Sequence, residues 1–492
     1  MIKRVFLGLL LVLLALAAAV GINTWRTPSR QVSVAPVQKV AVDEKAAAKR
    51  LSGAIAFKTI SSMDDPSANA EEFVKLRAYL AQQFPRLHAT LKQEVVGGHS
   101  LLYTWAGSDA KAQPIALMAH QDVVPIASGT EGAWKVDPFA GVIQDGYVWG
   151  RGAWDNKGNL LSQMEAIEML VASGFQPKQT TYLISGADEE VGGHRGAEPI
   201  AALLKSRGVR LAWVLDEGLL VTEGVLPGLD KPAALIGLSE KGYGSFKLTL
   251  DGAPGHASMP PQSSAIGSMS KALARLEANQ LPASISGVSG DMFATLAPEM
   301  TGFNRVALSN LWLFGPLLQK QLEKSPSSNA MMRTTTALTI MSAGNKDNVM
   351  PGHVEATVNF RVLPGDTLAS VESHVHKTVA NEAIKVEAYP GNSEPSPVSP
   401  MDGAGYAAIQ QTTRQVFSEG VVAPGLMLGA TDGRHFSIAA DAIYRFSPVR
   451  AKPEDLPRFH GTNERVSIAN YVEMIQFYHQ LLRNTGNTGP QD

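Results

Sequence analysis

The chain of 492 residues contains no cysteine. That absence excludes disulfides, thiolate zinc sites and cysteine nucleophiles together. Any bound metal must therefore be held by histidine and carboxylate. The compartment stays open, because a cysteine-free chain suits an oxidising space and a reducing one. An excess of charge is missing too. Lys plus Arg number 43 and Asp plus Glu 45, for a formal net charge of −2. No basic stretch is interleaved with aromatics, so nucleic acid is not an expected partner. Internal repeats are absent. The glycine-rich loop WGRGAWDNKG lacks the GK[ST] ending of a phosphate-binding P-loop.

What is present begins with one long apolar run, VFLGLLLVLLALAAAVGI, from Val5 to Ile22, preceded by Lys3 and Arg4. It is just long enough to span a bilayer and long for a signal peptide, and Trp25 and Arg26 follow as interfacial residues. Residues 1–22 thus read as an uncleaved membrane anchor in preference to a cleaved signal segment. Either reading exports the rest of the chain, periplasmic or extracellular, by the positive-inside rule. Lipidation of an N-terminal cysteine is excluded. Residues 23–44 read as a linker or stalk, and 485–492 as a flexible tail.

The length exceeds one ordinary core and predicts two domains. From about residue 45, apolar strand-length runs (PIALMAH, TTYLISG, LAWVLDEG) alternate with amphipathic helices over Glu71–Phe84 and Asn159–Gly174. This is the signature of an α/β, largely parallel sheet. After residue 240, GSFKLTLDG, TALTIMSAG and HVEATVNFRVLPG alternate like half-buried antiparallel strands, with a helix (TLASVESHVHKTVANEA) beyond them. The α/β pattern returns after Pro390. The expected organisation is a catalytic domain over 45–240 and 390–484, interrupted by an α+β domain over 241–389. Within the latter, residues 281–333 are Ser/Gly/Pro-rich with apolar patches such as LWLFGPLL, and no periodicity assigns them an element.

Five acidic or histidine clusters fall where apolar strands give way to loops, the end of an α/β sheet where ligands bind. They are His120 with Asp122, Asp155, Glu189 with Glu190, Asp216, and His460. Two imidazoles and several carboxylates can hold a pair of metals if one carboxylate bridges. Asp155 is the best bridge, because Gly150, Gly152 and Gly158 let the backbone approach closely. Asp122, two residues from His120 on an extended segment, can fix the imidazole tautomer from the unligated nitrogen. Of the adjacent Glu189 and Glu190, one can ligate while the other accepts a proton from the attacking water. Each cluster alone is commonplace; their order and context are specific.

Together H-x-D, G-R-G-x-x-D-x-K-G, D-E-E, D-E-G and a late histidine resemble the di-zinc M20 metallopeptidases, over about residues 50–480. GATDGRHF (429–436) and FSPVRAKPEDLPRFHGTNERV (446–466) resemble the carboxypeptidase S branch, which includes N-fatty-acyl-amino-acid hydrolases. Ala430 departs from the Gly-Gly-Thr-Asp expected there. The resemblance implies a zinc-peptidase-like catalytic domain with an inserted lid and dimerisation domain, and two Zn²⁺ per subunit. It implies that His120, Asp155 and Asp216 hold one zinc and Asp155, Glu190 and His460 the other, with Glu189 as general base and Asp122 as histidine orienter. His256, in Gly255-His256-Ala257-Ser258, would stabilise an oxyanion in the neighbouring subunit of a homodimer. Arg434 would clamp a substrate carboxylate, with Asn348 and Arg361 as further polar contacts. The implied activity is hydrolysis of the amide bond on the amino side of a free-carboxylate amino acid, as a carboxypeptidase on short peptides. The alternative is an N-acyl-amino-acid hydrolase, including long acyl chains. A non-catalytic binding protein is disfavoured, since no ligand and no candidate base is lost.

Overall fold

The computed structural model describes residues 2–486. In chain order, the strands that build the two larger sheets begin with β1 (Lys92–Val96), β2 (Ser100–Trp105), β3 (Ile115–Met118), β4 (Thr181–Ser185), β5 (Trp213–Thr222) and β6 (Ala233–Glu240). They continue with β7 (Gly242–Asp251), β8 (Thr335–Ser342), β9 (His353–Val362), β10 (Lys385–Ala388), β11 (Val421–Met427) and β12 (Ile443–Ala451). The helices that matter here are α1 (Ile2–Arg26), α2 (Lys157–Ala172), α3 (Ala197–Ser206), α4 (Ala265–Ala278), α5 (Gly287–Leu296), α6 (Gly302–Ser309), α7 (Leu311–Leu322), α8 (Leu368–Val379), α9 (Ala404–Val416) and α10 (Ile468–Gly486).

The larger unit is built on one eight-stranded mixed sheet in the order β1-β2-β4-β3-β5-β12-β6-β11. Its centre is parallel (β4, β3, β5, β12), and β1 and β2 join antiparallel at one side. Successive strand residues point to opposite faces, and both faces are covered. Leu117, Leu183 and Leu215 pack with Leu160, Leu161 and Met164 of α2. Their neighbours Met118, Ile184 and Val214 pack with Ile200 and Leu204 of α3. This is why the strands read as unbroken apolar runs.

The inserted lid is a four-stranded antiparallel sheet, β8-β9-β7-β10. Its alternating residues Phe246, Leu248, Val354, Val358 and Phe360 bury one face against α4 and α8. Strand β8 is an open edge, with Leu338, Ile340 and Met341 exposed.

Two boundaries differ from the sequence reading. Residues 281–333, counted there with the lid, pack on the catalytic sheet: Met292, Phe293 and Leu296 of α5 lie against Ala233, Val421 and Ala423 of β6 and β11. The expected stalk is also fastened down. The Gln31 side chain exchanges two hydrogen bonds with the Val422 backbone (2.7 and 2.9 Å). Gln476 Nε2 donates to the Val40 carbonyl at 3.0 Å. Of the tail expected over 485–492, Thr485 and Gly486 end α10, and the remainder lies outside the described residues.

Candidate metal centre

Four of the five clusters lie on loops beyond strands and Asp216 is the fourth residue of β5; the fold brings them to one place. His120 follows β3 by two residues. Its Nδ1 faces Asp122, at 3.0 Å from the backbone oxygen and 3.3 Å from Oδ1. That leaves Nε2 aimed into the centre, 3.0 Å from Asp155 Oδ1 and 3.2 Å from Glu217 Oε1. The other Asp155 oxygen lies 2.7 Å from His460 Nε2, and Glu190 Oε2 lies 3.3 Å from that same nitrogen. Asp155 thus sits between two imidazoles with one oxygen toward each. Glu189 Oε2 stands 4.0 Å from His120 Nε2.

The loops are held by carboxylates that face backbone N–H groups. Asp122 accepts from the N–H of Glu189 and of Glu190 (3.2 and 3.1 Å) and from Ser61 Oγ at 2.6 Å, so it positions the imidazole and both glutamates at once. Glu464, which the sequence reading passed over inside RFHGTNER, does the same for the bridge. Its Oε1 accepts from the N–H of Gly152, Trp154 and Asp155 (2.9, 2.9 and 3.1 Å), while Oε2 pairs with Arg151 Nη1 at 2.6 Å. The pair is buried, and these hydrogen bonds satisfy the carboxylate. Gly152 is needed here: its φ is +88°, and a Cβ would come within 2.9 Å of Val123 Cγ1. The Asp155–Asn156 peptide is cis.

Asp216 does not face His120; Glu217 does. Asp216 pairs with Arg445 across β5 and β12, but the next paired residues are Leu219 and Phe446, so Glu217 and Gly218 have no partner in the ladder. Such an irregularity re-aims a side chain. Glu217 turns into the centre, where Asn156 Nδ2 also donates to it. The Asp216 carboxylate turns away and accepts from the N–H of Gly433 (2.6 Å) and of Glu217 (2.8 Å).

The centre is crowded with negative charge. Burial pushes the Glu217 carboxyl up to about 8, with His120 opposing, and pushes Glu189 well above the usual carboxylate range. Burial would also raise Asp155, but hydrogen bonds from His120 and His460 outweigh it and hold Asp155 below its ordinary value. The same contacts, with Glu190, raise His460 to about 10 against the effect of burial. Glu190 Oε1 is buried with no hydrogen-bond partner. Two imidazoles, four converging carboxylates and an unpaired buried oxygen fit divalent cations bound through nitrogen and oxygen. Among the described residues, two of the three groupings able to hold a metal share His120: one with Asp155 and Glu190, one with Glu189 and Glu217. The third, His194, Glu198 and His435, lies on the rim and is largely exposed.

The centre opens into a cleft of ≈1060 Å³ lined by Glu189, Arg361, Arg434 and His460 among polar groups and by Leu220 and Phe459 among apolar ones. Arg434 Nη2 donates to the Gly192 carbonyl at 2.8 Å, which holds the guanidinium at the wall. Arg361 stacks on Tyr243, 4.9 Å from its ring centroid. His256 and Asn348 lie elsewhere: they meet at the lid tip, where Ala257 N–H donates to the Asn348 carbonyl and His256 is exposed. Neither lines the cleft of its own subunit.

Comparison with known proteins gives this arrangement a family. The family description Peptidase family M20/M25/M40 matches residues 116–484. The chain belongs to that family. The M20 chain is 42% identical over 447 residues to the N-fatty-acyl-amino acid synthase/hydrolase PM20D1 of Xenopus tropicalis, covering 90% of this chain and 86% of that protein. It is 37% identical to the probable carboxypeptidase S-like 2 of Dictyostelium discoideum, covering 98% and 93%. These relatives place it in the PM20D1 and carboxypeptidase S-like branch. The M20 family metallo-carboxypeptidase Sso-CP2 from Sulfolobus solfataricus shares the fold, with a TM-score of 0.65 at 18% identity over 91% of this chain and 100% of that one. The protein is an M20 metallohydrolase, a family of metal-dependent enzymes, and the residues gathered here could hold its metal.

Proposed function

We propose that this M20 enzyme uses two zinc ions to cleave the amide bond between a fatty acyl group and a free-carboxylate amino acid. The observation that carries the reading is Asp155, set between His120 and His460 at the floor of a cleft walled by Arg434 and apolar side chains. His120, Asp155 and Glu217 would hold one zinc, and Asp155, Glu190 and His460 the other. Bound zinc supplies Lewis acidity, lowering the pKa of water toward neutrality and polarising the scissile carbonyl.

The protein's own groups do the rest. Glu189 takes the proton of the attacking water and returns it to the leaving amine. Its burial raises its proton affinity well above that of an ordinary carboxylate, the direction a general base needs. Arg434 receives the amino-acid carboxylate, since its planar fork matches one bidentately. Met63, Trp154, Leu220, Met427 and Phe459 offer the acyl chain an apolar wall. The exposed lid histidine, His256, and the open β8 edge support a homodimer in which His256 stabilises the oxyanion of the partner's site. Lys3 and Arg4 in the first turn of α1, ahead of its apolar run, support an anchor with the catalytic domain outside the cytoplasm.

The names of the 42% identical relatives favour the acyl substrate over short peptides. The carboxypeptidase reading keeps one support, the carboxypeptidase S-like relatives at 37% and 35% identity. Turnover of N-oleoyl-phenylalanine and of a dipeptide by the zinc-loaded full chain separates them. A higher kcat/KM for the acyl substrate is expected; a preference for the dipeptide would overturn the acyl assignment.

A further inference from the structure

Residues 281–333 take no part in the metal centre, yet they carry an unusual surface. Outside α1, Phe303, Trp312, Leu313 and Leu317 are exposed by 60, 59, 37 and 60%. They crowd onto α6 and α7. Trp312, Leu313, Pro316 and Leu317 share one outward face of α7, at helical spacing. The opposite face of α7 packs Leu311, Leu318 and Leu322 toward the body. An exposed apolar group of this kind marks a contact site.

What covers it is indicated by α1. That helix is 25 residues long with a mean hydropathy of 2.9 in its most apolar window and is 0% buried there. At 1.5 Å per residue it is about 37 Å long, slightly more than a hydrocarbon layer of ~30 Å. Its last turn, Asn23–Arg26, would therefore lie at the membrane interface. That turn is bonded to the α6–α7 corner. Asn310, fully buried between the two helices, donates to Thr24 Oγ1 at 2.9 Å and to the Val20 carbonyl at 3.4 Å. Asn23 Nδ2 donates to the Ser309 carbonyl at 2.5 Å and to Asn310 Oδ1 at 3.1 Å. Trp312 Nε1 donates to that same Asn310 oxygen at 3.2 Å. The partly covered residues Leu16, Val20 and Thr24, spaced four apart, form one face of α1, and α6 packs on this helix. No slack separates anchor and body either: Ser29 bonds Glu299, and Gln31 is fixed to Val422.

We infer that the α6–α7 corner is a monotopic membrane element, laying Phe303, Trp312, Leu313 and Leu317 into the outer half of the bilayer beside α1. Tryptophan at the interface and an amphipathic helix in its plane are the expected chemistry. Lys320 in the last turn of α7 and Lys324 just beyond it are exposed and would meet the headgroup layer. The element would hold the catalytic domain against the lipid surface. It rests on α1 spanning the bilayer, not on the acyl-substrate reading.

Because the chain has no cysteine, single-cysteine labelling is unambiguous. A fluorescent probe is placed on Leu317→Cys, Phe303→Cys, Leu13→Cys within α1, and Val74→Cys, an exposed site on the helix Ala70–Gln83. The full-length protein is reconstituted in phosphatidylcholine–phosphatidylglycerol vesicles. Lipids bearing a nitroxide near the headgroup should quench the probes at 317 and 303 but not the probe at 74. Aqueous iodide should give the reverse order. Iodide quenching at 317 equal to that at 74, with the probe at 13 protected, would overturn the proposal while leaving the anchor intact. Protection at 317 without nitroxide quenching would overturn it too, by showing that protein covers the face. An unprotected probe at 13 would remove the anchor on which the proposal rests and so overturn it, without touching the substrate assignment.

Discussion

At the residue scale, one step of backbone decides which acid faces His120. Asp216 and Glu217 are adjacent, and a regular strand would send them to opposite faces. The break after Asp216 leaves Glu217 3.2 Å from the His120 nitrogen and ties Asp216 to the Gly433 N–H. Glu217→Ala is therefore expected to lose one of the two zincs on dialysis. Asp216→Asn should keep both, with affinity lowered by ~10–100-fold, the usual cost of a supporting group. Elemental analysis of the dialysed variants checks this; the reverse pattern would return Asp216 to the ligand set. The convergence of His120, Asp155, Glu189, Glu190 and His460 was legible because strand-end position and residue type carry the signal. Glu217 was not, because an irregular ladder has no sequence period. Glu464 was hidden for another reason: it acts through three N–H groups more than 300 residues away, a contact that only the fold creates.

At the element scale, periodicity served the helices and strands well, with ends displaced by a residue or two. The helix read at Asn159–Gly174 runs Lys157–Ala172, and the one read at Glu71–Phe84 runs Ala70–Gln83. Residues 281–333 defeated it. Their apolar residues face two ways, onto the edge of the catalytic sheet and outward from α7, so no single stripe emerges. Helix α10 offers a test of burial. His479 lies in it, nearly covered, and burial, assisted by Arg483, lowers its pKa from 6.5 to about 4. The folded state holds the ring neutral, so the unfolded chain takes up the proton first as pH falls. The stability this neutral ring permits is complete above pH 6.5 and is lost progressively toward pH 4. Thermal melts between those values should show a fall in Tm that is shallower in His479→Gln, with metal-free protein compared throughout. Equal slopes would mean that the ring contributes nothing to acid sensitivity.

At the scale of the whole molecule, the eight-stranded sheet supplies the candidate metal centre, the lid carries a histidine that does not line its own cleft, and α1 is bonded to the α6–α7 corner. In the proposed homodimer the lid histidine serves the partner's site. His256→Ala should lower kcat by ~10²–10³, as loss of an oxyanion donor does. Mixing that variant with Glu189→Gln subunits should restore activity, because a mixed dimer contains one site with both groups; failure to complement in confirmed mixed dimers would place His256 outside the reaction. The most direct test of the two-metal hydrolytic centre is Glu189→Gln itself, measured for zinc content and turnover on the same preparation. The expected result is two zincs per chain with turnover reduced ~10²–10⁴-fold, the range for a positioned general base. Turnover at the unsubstituted level with both zincs in place would contradict the account.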